Sequence, residues 1–238
     1  MTTLFISDLH LDDTRPAATE LFRAFAGEEA RHCEALYILG DLFEYWLGDD
    51  VLSDTARQVA DALAALSEAG VACYFMHGNR DFLIGSDYAR LCGMQLLPEE
   101  WLLDLYGRRT LLLHGDTLCT DDTSYQAVRR MLRSAEWQAE FLAQSPADRI
   151  AFARQAMDQS REHKSSATMD IMDVNADAVA ASFERHGVAD MIHGHTHRPA
   201  IHELRLPGGS ARRIVLGDWY EQGSVLRVDE NGAVLAKL

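Results

Sequence analysis

Cations are scarce in this sequence. Its 238 residues carry 22 Lys+Arg against 37 Asp+Glu, a formal charge of −15, which disfavours binding to a polyanion such as duplex DNA. Cysteine is sparse too. Cys33, Cys73, Cys92 and Cys119 lie far apart and form no C-x-x-C pair, which argues against a thiolate metal site or a disulfide framework and leaves free, mostly buried thiols. Long apolar runs are missing, and no stretch reaches the roughly 18 residues of a membrane span. The start, Met1-Thr2-Thr3-Leu4-Phe5-Ile6, lacks the basic opening and long apolar stretch of a signal peptide, so a cytoplasmic location is expected. Repeats, low-complexity tracts and Pro-rich linkers are absent as well. A composition of 47% hydrophobic and 25% charged residues excludes disorder.

What is present is an alternation of short apolar runs and helical stretches, the pattern of an α/β sandwich. Thr3 to Ser7, Ala35 to Leu39, Val71 to Met76, Thr110 to His114 and Met191 to His193 read as buried strands. Ala17 to Ala26, Ser53 to Ala69 and Ala176 to His186 read as helices, with Gly27, Gly70 and Gly187 placed to end them. Near the C-terminus, Ile201 to Leu206, Arg213 to Leu216, Ser224 to Val228 and Val234 to Lys237 read as a meander of antiparallel strands. From Thr123 to Thr168 consecutive helices are expected with no strand between them. One apolar face comes from Tyr125, Val128, Met131, Leu132, Trp137, Phe141 and Leu142, and another from Ile150, Phe152, Ala153 and Met157. This insert carries seven basic and five acidic residues, so it is +2 and the remainder is −17. The expected organisation is one domain, 1–238, with a helical cap at about 123–168.

Metal-ligand residue types close the apolar runs: Asp8-Leu9-His10, Gly40-Asp41, Gly78-Asn79-Arg80-Asp81, His114-Gly115-Asp116 and Gly194-His195-Thr196-His197. In an open α/β sheet the carboxyl ends of the strands share one edge, so these clusters are expected to converge. In extended backbone, residues two apart point to the same side, so Asp8 with His10, and His195 with His197, are expected to face one centre. Taken singly, each has an ordinary explanation. Asp8 or Asp41 fits a helix cap, His114 a satisfied core histidine, Asn79 a turn and Arg80 a surface ion pair. Together they bring two carboxylates, four imidazoles and an amide to one place, for which a metal centre is the reading. Mixed oxygen and imidazole ligands favour Mn²⁺, Fe or Zn over Ca²⁺, and the absence of thiolates argues against a structural zinc site.

The order D-x-H, G-D, G-N-[HR]-D, H-G-D and G-H-T-H resembles the calcineurin-like metallophosphoesterases through most of the chain. That resemblance implies an α/β fold of two sheets flanked by helices, with two metal ions sharing an aspartate and a bridging hydroxide. Carried over motif by motif, one ion takes Asp8, His10, Asp41 and His197, and the other takes Asp41, Asn79, His114 and His195. The implied reaction is hydrolysis of a phosphoester or phosphoanhydride. Many relatives carry His after the motif's asparagine, where this chain has Arg80. A guanidinium keeps its proton near neutral pH, so Arg80 is expected to stabilise charge, which suits a good leaving group such as a nucleoside monophosphate.

Longer stretches, among them Gly40-Asp41-Leu42-Phe43-Glu44-Tyr45-Trp46 and His77-Gly78-Asn79-Arg80-Asp81-Phe82-Leu83, resemble the Mn²⁺-dependent branch of that family that acts in lipid A biosynthesis. The resemblance implies two Mn²⁺ ions per chain and attack on the α-phosphorus of UDP-2,3-diacylglucosamine, giving UMP and 2,3-diacylglucosamine 1-phosphate. It implies catalytic roles for Asp41, Asn79, Arg80 and His195, and substrate contacts from Asn79, Arg80, Asp122, Ser160, Lys164 and His195. Peripheral contact with the cytoplasmic face of the inner membrane is expected, with no nucleic acid and no obligate protein partner. Apolar faces of the cap would shelter acyl chains, and its basic residues would meet phosphate or anionic head groups. Asp122 fits a helix cap equally well, and Ser160 and Lys164 a solvated face. Two alternatives stay open: a relative acting on a soluble nucleotide diphosphate or phosphodiester, and a scaffold that keeps the fold without the activity.

Overall fold

The structure is a computed structural model that describes residues 2–166 and 173–238, with 157–166 followed as helical backbone. In chain order the elements are β1 (Thr3–Ile6), α1 (Pro16–Gly27), β2 (Ala35–Ile38), α2 (Asp54–Glu68), β3 (Ala72–Met76), α3 (Ser86–Cys92), β4 (Met94–Leu97), β5 (Glu100–Leu105) and β6 (Arg108–Leu113). There follow α4 (Thr123–Leu132), α5 (Ala135–Leu142), α6 (Pro146–Ser166), α7 (Ala176–His186), β7 (Asp190–His193), β8 (Ala200–Leu206), β9 (Gly209–Val215), β10 (Ser224–Asp229) and β11 (Gly232–Lys237). The expected strands and helices form within a residue or two of their expected limits, except that the strand expected at Arg213 to Leu216 begins four residues earlier, at Gly209. The segment 86–105 adds α3, β4 and β5, which the apolar pattern did not single out.

Among the described residues the strands make two sheets, ordered β11-β10-β1-β2-β3-β4 and β5-β6-β7-β9-β8. Side-chain alternation builds both layers. Leu4, Ile6, Leu36, Ile38, Cys73 and Phe75 face the helices and pack with Phe22 of α1 and Val59 and Leu63 of α2. Phe5, Tyr37 and Met76 turn the other way and pack against Leu111, Leu113, Met191 and Ile214 of the second sheet. Register brings Phe5 opposite Tyr37 and Tyr37 opposite Tyr74, and their rings stack with centroids 5.1 and 4.6 Å apart. That cross-strand ladder helps pin the parallel register between the sheets. Cys73, Cys92 and Cys119 are buried, Cys33 is partly buried, and all four are free thiols. Burial pushes the Cys73, Cys92 and Cys119 thiols up to about 12.

The C-terminal strands correct one expectation. They are two hairpins in different sheets rather than one meander: β8 pairs with β9, which runs parallel beside β7, whereas β10 pairs antiparallel with both β1 and β11. Pro207-Gly208 and Glu230-Asn231 supply the turns locally. The partner of each hairpin is the open edge of a long-range strand, β7 or β1, and turn residues carry no information about that edge.

Candidate metal centre

All the ligand-type residues lie just past strand ends. Asp8 and His10 follow β1, Asp41 follows β2 and Asn79 follows β3 in the first sheet, while His114 follows β6 and His195 and His197 follow β7 in the second. Face-to-face packing of the sheets places both sets of carboxyl ends at one end of the sandwich. Backbone bonds knit them: Asp8 N to Gly40 O and His10 N to Asp41 O, both 3.0 Å, Gly194 N to His114 O at 2.8 Å, and His195 N to Asp8 Oδ2 at 2.9 Å.

The convergence does not come from extended backbone, as the two-residue spacing suggested. Asp8, His10, Asp41, His195 and His197 have φ of 56°, 49°, 51°, 68° and 54°, the left-handed region that non-glycine residues seldom adopt. Each turns its side chain inward immediately after the strand stops. Concentrated strain of this kind is a mark of functional sites. Glycines make the room. A Cβ on Gly78 would lie 2.1 Å from Asp41 Oδ1, and one on Gly194 would lie 2.3 Å from Asp8 Oδ2.

The donor set fits cations. Two triads, Asp8–His10–His197 and Asp8–Asp41–His114, each have ligand atoms within 4.8 Å of one another. Asp41 Oδ2 stands between the halves, 3.9 Å from His10 Nε2 and 3.8 Å from His114 Nε2. Asn79 Oδ1 lies 3.0 Å from His114 Nε2 and 2.9 Å from His195 Nδ1. Asp8 Oδ1 is buried without an aligned hydrogen bond, 3.3 Å from His197 Nε2. Three rings place Nδ1 towards an outer oxygen and Nε2 inward: His114 Nδ1 hydrogen-bonds Leu39 O at 2.8 Å, while His10 Nδ1 lies 2.9 Å from Glu44 Oε2 and His197 Nδ1 3.7 Å from Asp218 Oδ2 at ion-pair distance. Carboxylate or carbonyl partners on the outer nitrogen are the usual support of metal-binding histidine.

Electrostatics point the same way. Burial alone would raise Asp8, but the imidazoles of His197, His114 and His10 hold it well below the usual carboxylate range. Burial would lower His114 and His197, yet Asp41 and Asp8 lift His114, and Asp8 lifts His197, above the ordinary histidine value. The buried carboxylates thus favour the protonated form of these rings, and a bound cation would compete with that proton. His195 goes the other way, lowered to about 4 by burial and by the charge of His114.

Several supporting residues escaped the sequence reading. Glu44 is a lone charge in the apolar run that follows Asp41, and it turns His10. Asp81, within a quoted motif but given no role, accepts from Leu42 N at 2.7 Å and Gly78 N at 2.9 Å, tying two ligand turns together. Burial and the Asp41 charge raise its carboxyl to about 7. Arg15 donates to the carbonyls of Leu9 and His10 at 3.1 and 2.8 Å and to that of Trp219 at 2.8 Å. Only a carboxylate or guanidinium placed oddly for its segment signals such roles.

A cleft of about 500 Å³ opens from Glu44, Asn79 and Arg80 into the helices α4–α6. Its walls are Trp46, Phe82 and Leu83 from the body with Tyr125, Val128, Met131, Leu132, Trp137, Phe141 and Phe152 from those helices. Trp137 and Phe141 stack at 4.8 Å, with Phe152 edge-on to Phe141 at 5.3 Å. Leu142, expected on the same face, packs at Gly48 instead. The basic residues also depart from expectation. Arg129 pairs with Asp116 and Glu99, Arg133 with Glu99, and buried Arg149 with Asp50, so these three face the body; of the other basic side chains of the cap that the structure describes, Arg130 and Arg154 are exposed, and Arg161 and Lys164 lie outside the described side chains. Asp122 caps α4, accepting from Tyr125 N at 2.9 Å and Ser124 Oγ at 2.8 Å. The side chains of Ser160 and Lys164 lie outside the described residues.

Comparison with known proteins agrees with this architecture. The family model for calcineurin-like phosphoesterases matches residues 1–199. The UDP-2,3-diacylglucosamine hydrolase of Stenotrophomonas maltophilia (strain K279a) is 56% identical over 239 residues, covering 98% of this chain and 96% of that protein. The protein of the same name from Xanthomonas axonopodis pv. citri (strain 306) is 55% identical over 245 residues, covering 100% and 99%. By fold, motif order and full-length similarity, the chain belongs to the calcineurin-like phosphoesterase family.

Proposed function

We infer that this chain hydrolyses the diphosphate of UDP-2,3-diacylglucosamine to UMP and 2,3-diacylglucosamine 1-phosphate, as one phosphoesterase domain with α4–α6 as its cap. The observation that carries the reading is the direct opening of a carboxylate–imidazole–amide cluster, through Asn79 and Arg80, into an aromatic cleft of about 500 Å³. A diphosphate joined to acyl chains needs that combination. The names of the relatives point to the same substrate.

Asp8, His10, Asp41 and His197 would hold one divalent ion, and Asp41, Asn79, His114 and His195 a second. When bound, such ions supply an activated water and offset charge on the phosphoryl oxygens. An oxygen and imidazole donor set without thiolate suits Mn²⁺. Arg80, which lines the cleft beside Asn79, binds the diphosphate in two-pronged fashion through its guanidinium. His195, with its lowered pKa, presents a neutral imidazole beside the Asn79 amide at the phosphate edge. Glu44 and the Leu39 carbonyl keep His10 and His114 turned inward. Trp137, Phe141 and Phe152 take the acyl chains and exclude water. Asp122, beside the cleft-lining Ser124 and Tyr125, together with Ser160 and Lys164, completes the head-group contacts.

Among the described residues no helix is long and apolar enough to cross a membrane. Tyr45, Val128, Met131 and Phe152 line the cleft yet remain exposed, with Arg130 and Arg154 nearby in sequence. That combination supports peripheral contact with an anionic leaflet while substrate is drawn in. The test is metal-stripped protein incubated with acylated UDP-glucosamine and Mn²⁺, with nucleotide products separated. Mn²⁺-dependent UMP is expected. Release of UDP, or equal turnover of unacylated UDP-N-acetylglucosamine, would replace the reading with a soluble-nucleotide hydrolase.

A further inference from the structure

Two arginines of the cap reach the turns that carry the ligand-type residues. Arg133, at the C-terminal end of α4, donates from Nη2 to the Gly78 carbonyl at 2.8 Å. Its guanidinium lies over the Phe82 ring, 5.2 Å from the centroid, and its Nη1 is 3.3 Å from Glu99 Oε1. Arg129, one turn earlier, shares Glu99 Oε1 at 2.6 Å and binds the Asp116 carboxylate at 2.6 Å, two residues beyond His114.

Gly78 is held from both sides. Its nitrogen donates to Asp81 Oδ1 at 2.9 Å, and the Asp41 carboxylate fills the space where a Cβ would project. Its carbonyl is held from the cap. Gly78 is therefore fixed by the body at its nitrogen, and the peptide that joins it to Asn79 is held at its carbonyl by Arg133, 55 residues away in sequence. Asn79 Oδ1 reaches His114 and His195 from that peptide. A carbonyl that loses a charged donor from a mostly buried side chain rotates to find another partner, and Asn79 moves with it.

We propose that Arg133 is a positioning residue for the ion held by Asp41, Asn79, His114 and His195, acting through the Gly78 carbonyl. The proposal rests on the two-ion reading above. It also makes the cap part of the metal centre as well as a wall of the acyl cleft. The ion assigned to Asp8, His10, Asp41 and His197 should be insensitive to Arg133, because Arg15, Glu44 and Asp218 secure that half.

The experiment is titration of the metal-stripped full chain with Mn²⁺ alone, reading free Mn²⁺ by electron paramagnetic resonance. The parent should bind two equivalents. Arg133→Met should keep one at parental affinity and weaken the other by about 10-fold or more, the usual effect of removing a residue that supports a metal ligand. On an Asn79→Ala background, Arg133→Met should have no further effect, since both act on one site. Arg149→Met, which removes a different anchor of the cap, should leave both affinities unchanged. Should the methionine variant fail to fold, Arg133→Lys keeps the charge, loses the planar fork and should give the same selective weakening in milder form. Parental affinity at both sites in the Arg133 variants, or equal weakening of both, overturns the proposal. A parent that binds a single equivalent overturns the two-ion reading itself.

Discussion

Single residues show how much of the centre is backbone conformation. Five of its side chains emerge from left-handed residues, each about 1–2 kcal/mol less favourable than the ordinary right-handed alternative. The surrounding bonds hold them there, including those from Arg15 Nη1 to the carbonyls of Leu9 and His10. Gly194 has no slack for even a methyl group, with Asp8 Oδ2 and Ser7 Oγ both 2.3 Å from where its Cβ would lie. Gly194→Ala should destabilise the fold by about 1–3 kcal/mol and weaken Mn²⁺ binding. Unchanged melting and Mn²⁺ titration would contradict that packing. Arg80 should separate chemistry from metal retention. Its backbone N–H to Asp41 Oδ1, at 2.8 Å, survives truncation, so Arg80→Ala should lose about 100-fold or more in kcat with the bound Mn²⁺ unchanged. The residue types were legible in the sequence. Which nitrogen of each imidazole faces inward was not, because Glu44, Leu39 and Asp218 decide it from elsewhere in the chain.

At the scale of elements, the cap divides its labour between an aromatic inner face and arginines that hold it down. Trp137→Ser with Phe152→Ser should raise KM for the diacylated substrate about 10-fold or more, given the apolar area lost, and leave a short-chain analogue nearly untouched. Phe141 is buried, so its truncation would confound binding with stability. Equal effects on both substrates would remove the acyl chains from the cleft. The Arg149 anchor is pH-sensitive. Its guanidinium holds the Asp50 carboxyl below the usual range, so the pair supports the folded cap above the unfolded carboxylate value near 4 and loses that support as pH falls through the lowered one. Hydrogen exchange along α6, corrected for intrinsic rate, should accelerate towards pH 3 in the parent and lose that dependence in Asp50→Asn. Exchange that is flat with pH in the parent would count against the anchor. The +2 charge of the insert was correctly counted, but the count did not tell which arginines fasten the cap to the body and which stay exposed. Charge is a property of composition, whereas pairing with Asp50, Glu99 and Asp116 is set by long-range packing.

For the whole molecule, two sheets meet so that β1, β2, β3, β6 and β7 deliver their following residues to one place. Cations bound there would offset buried carboxylate charge, so Mn²⁺ should stabilise the fold. Occupying one site at 100 times its Kd contributes about 2.7 kcal/mol, on the order of 5–10 °C in Tm for a chain of this size. A Tm indifferent to Mn²⁺ and chelator would refute the metal centre. The net charge of −15 belongs to the metal-free polypeptide and says little about a site that two divalent ions would reverse locally. By itself the sequence determined the alternation of strands and helices, the donor types at the strand ends and the family, since each is written in local periodicity and motif order. Tertiary structure alone decided the left-handed turns, the sheet that each C-terminal hairpin joins, and the inward facing of Arg129, Arg133 and Arg149. Those outcomes depend on open strand edges, buried carbonyls and carboxylates distant in the chain, which no local pattern encodes.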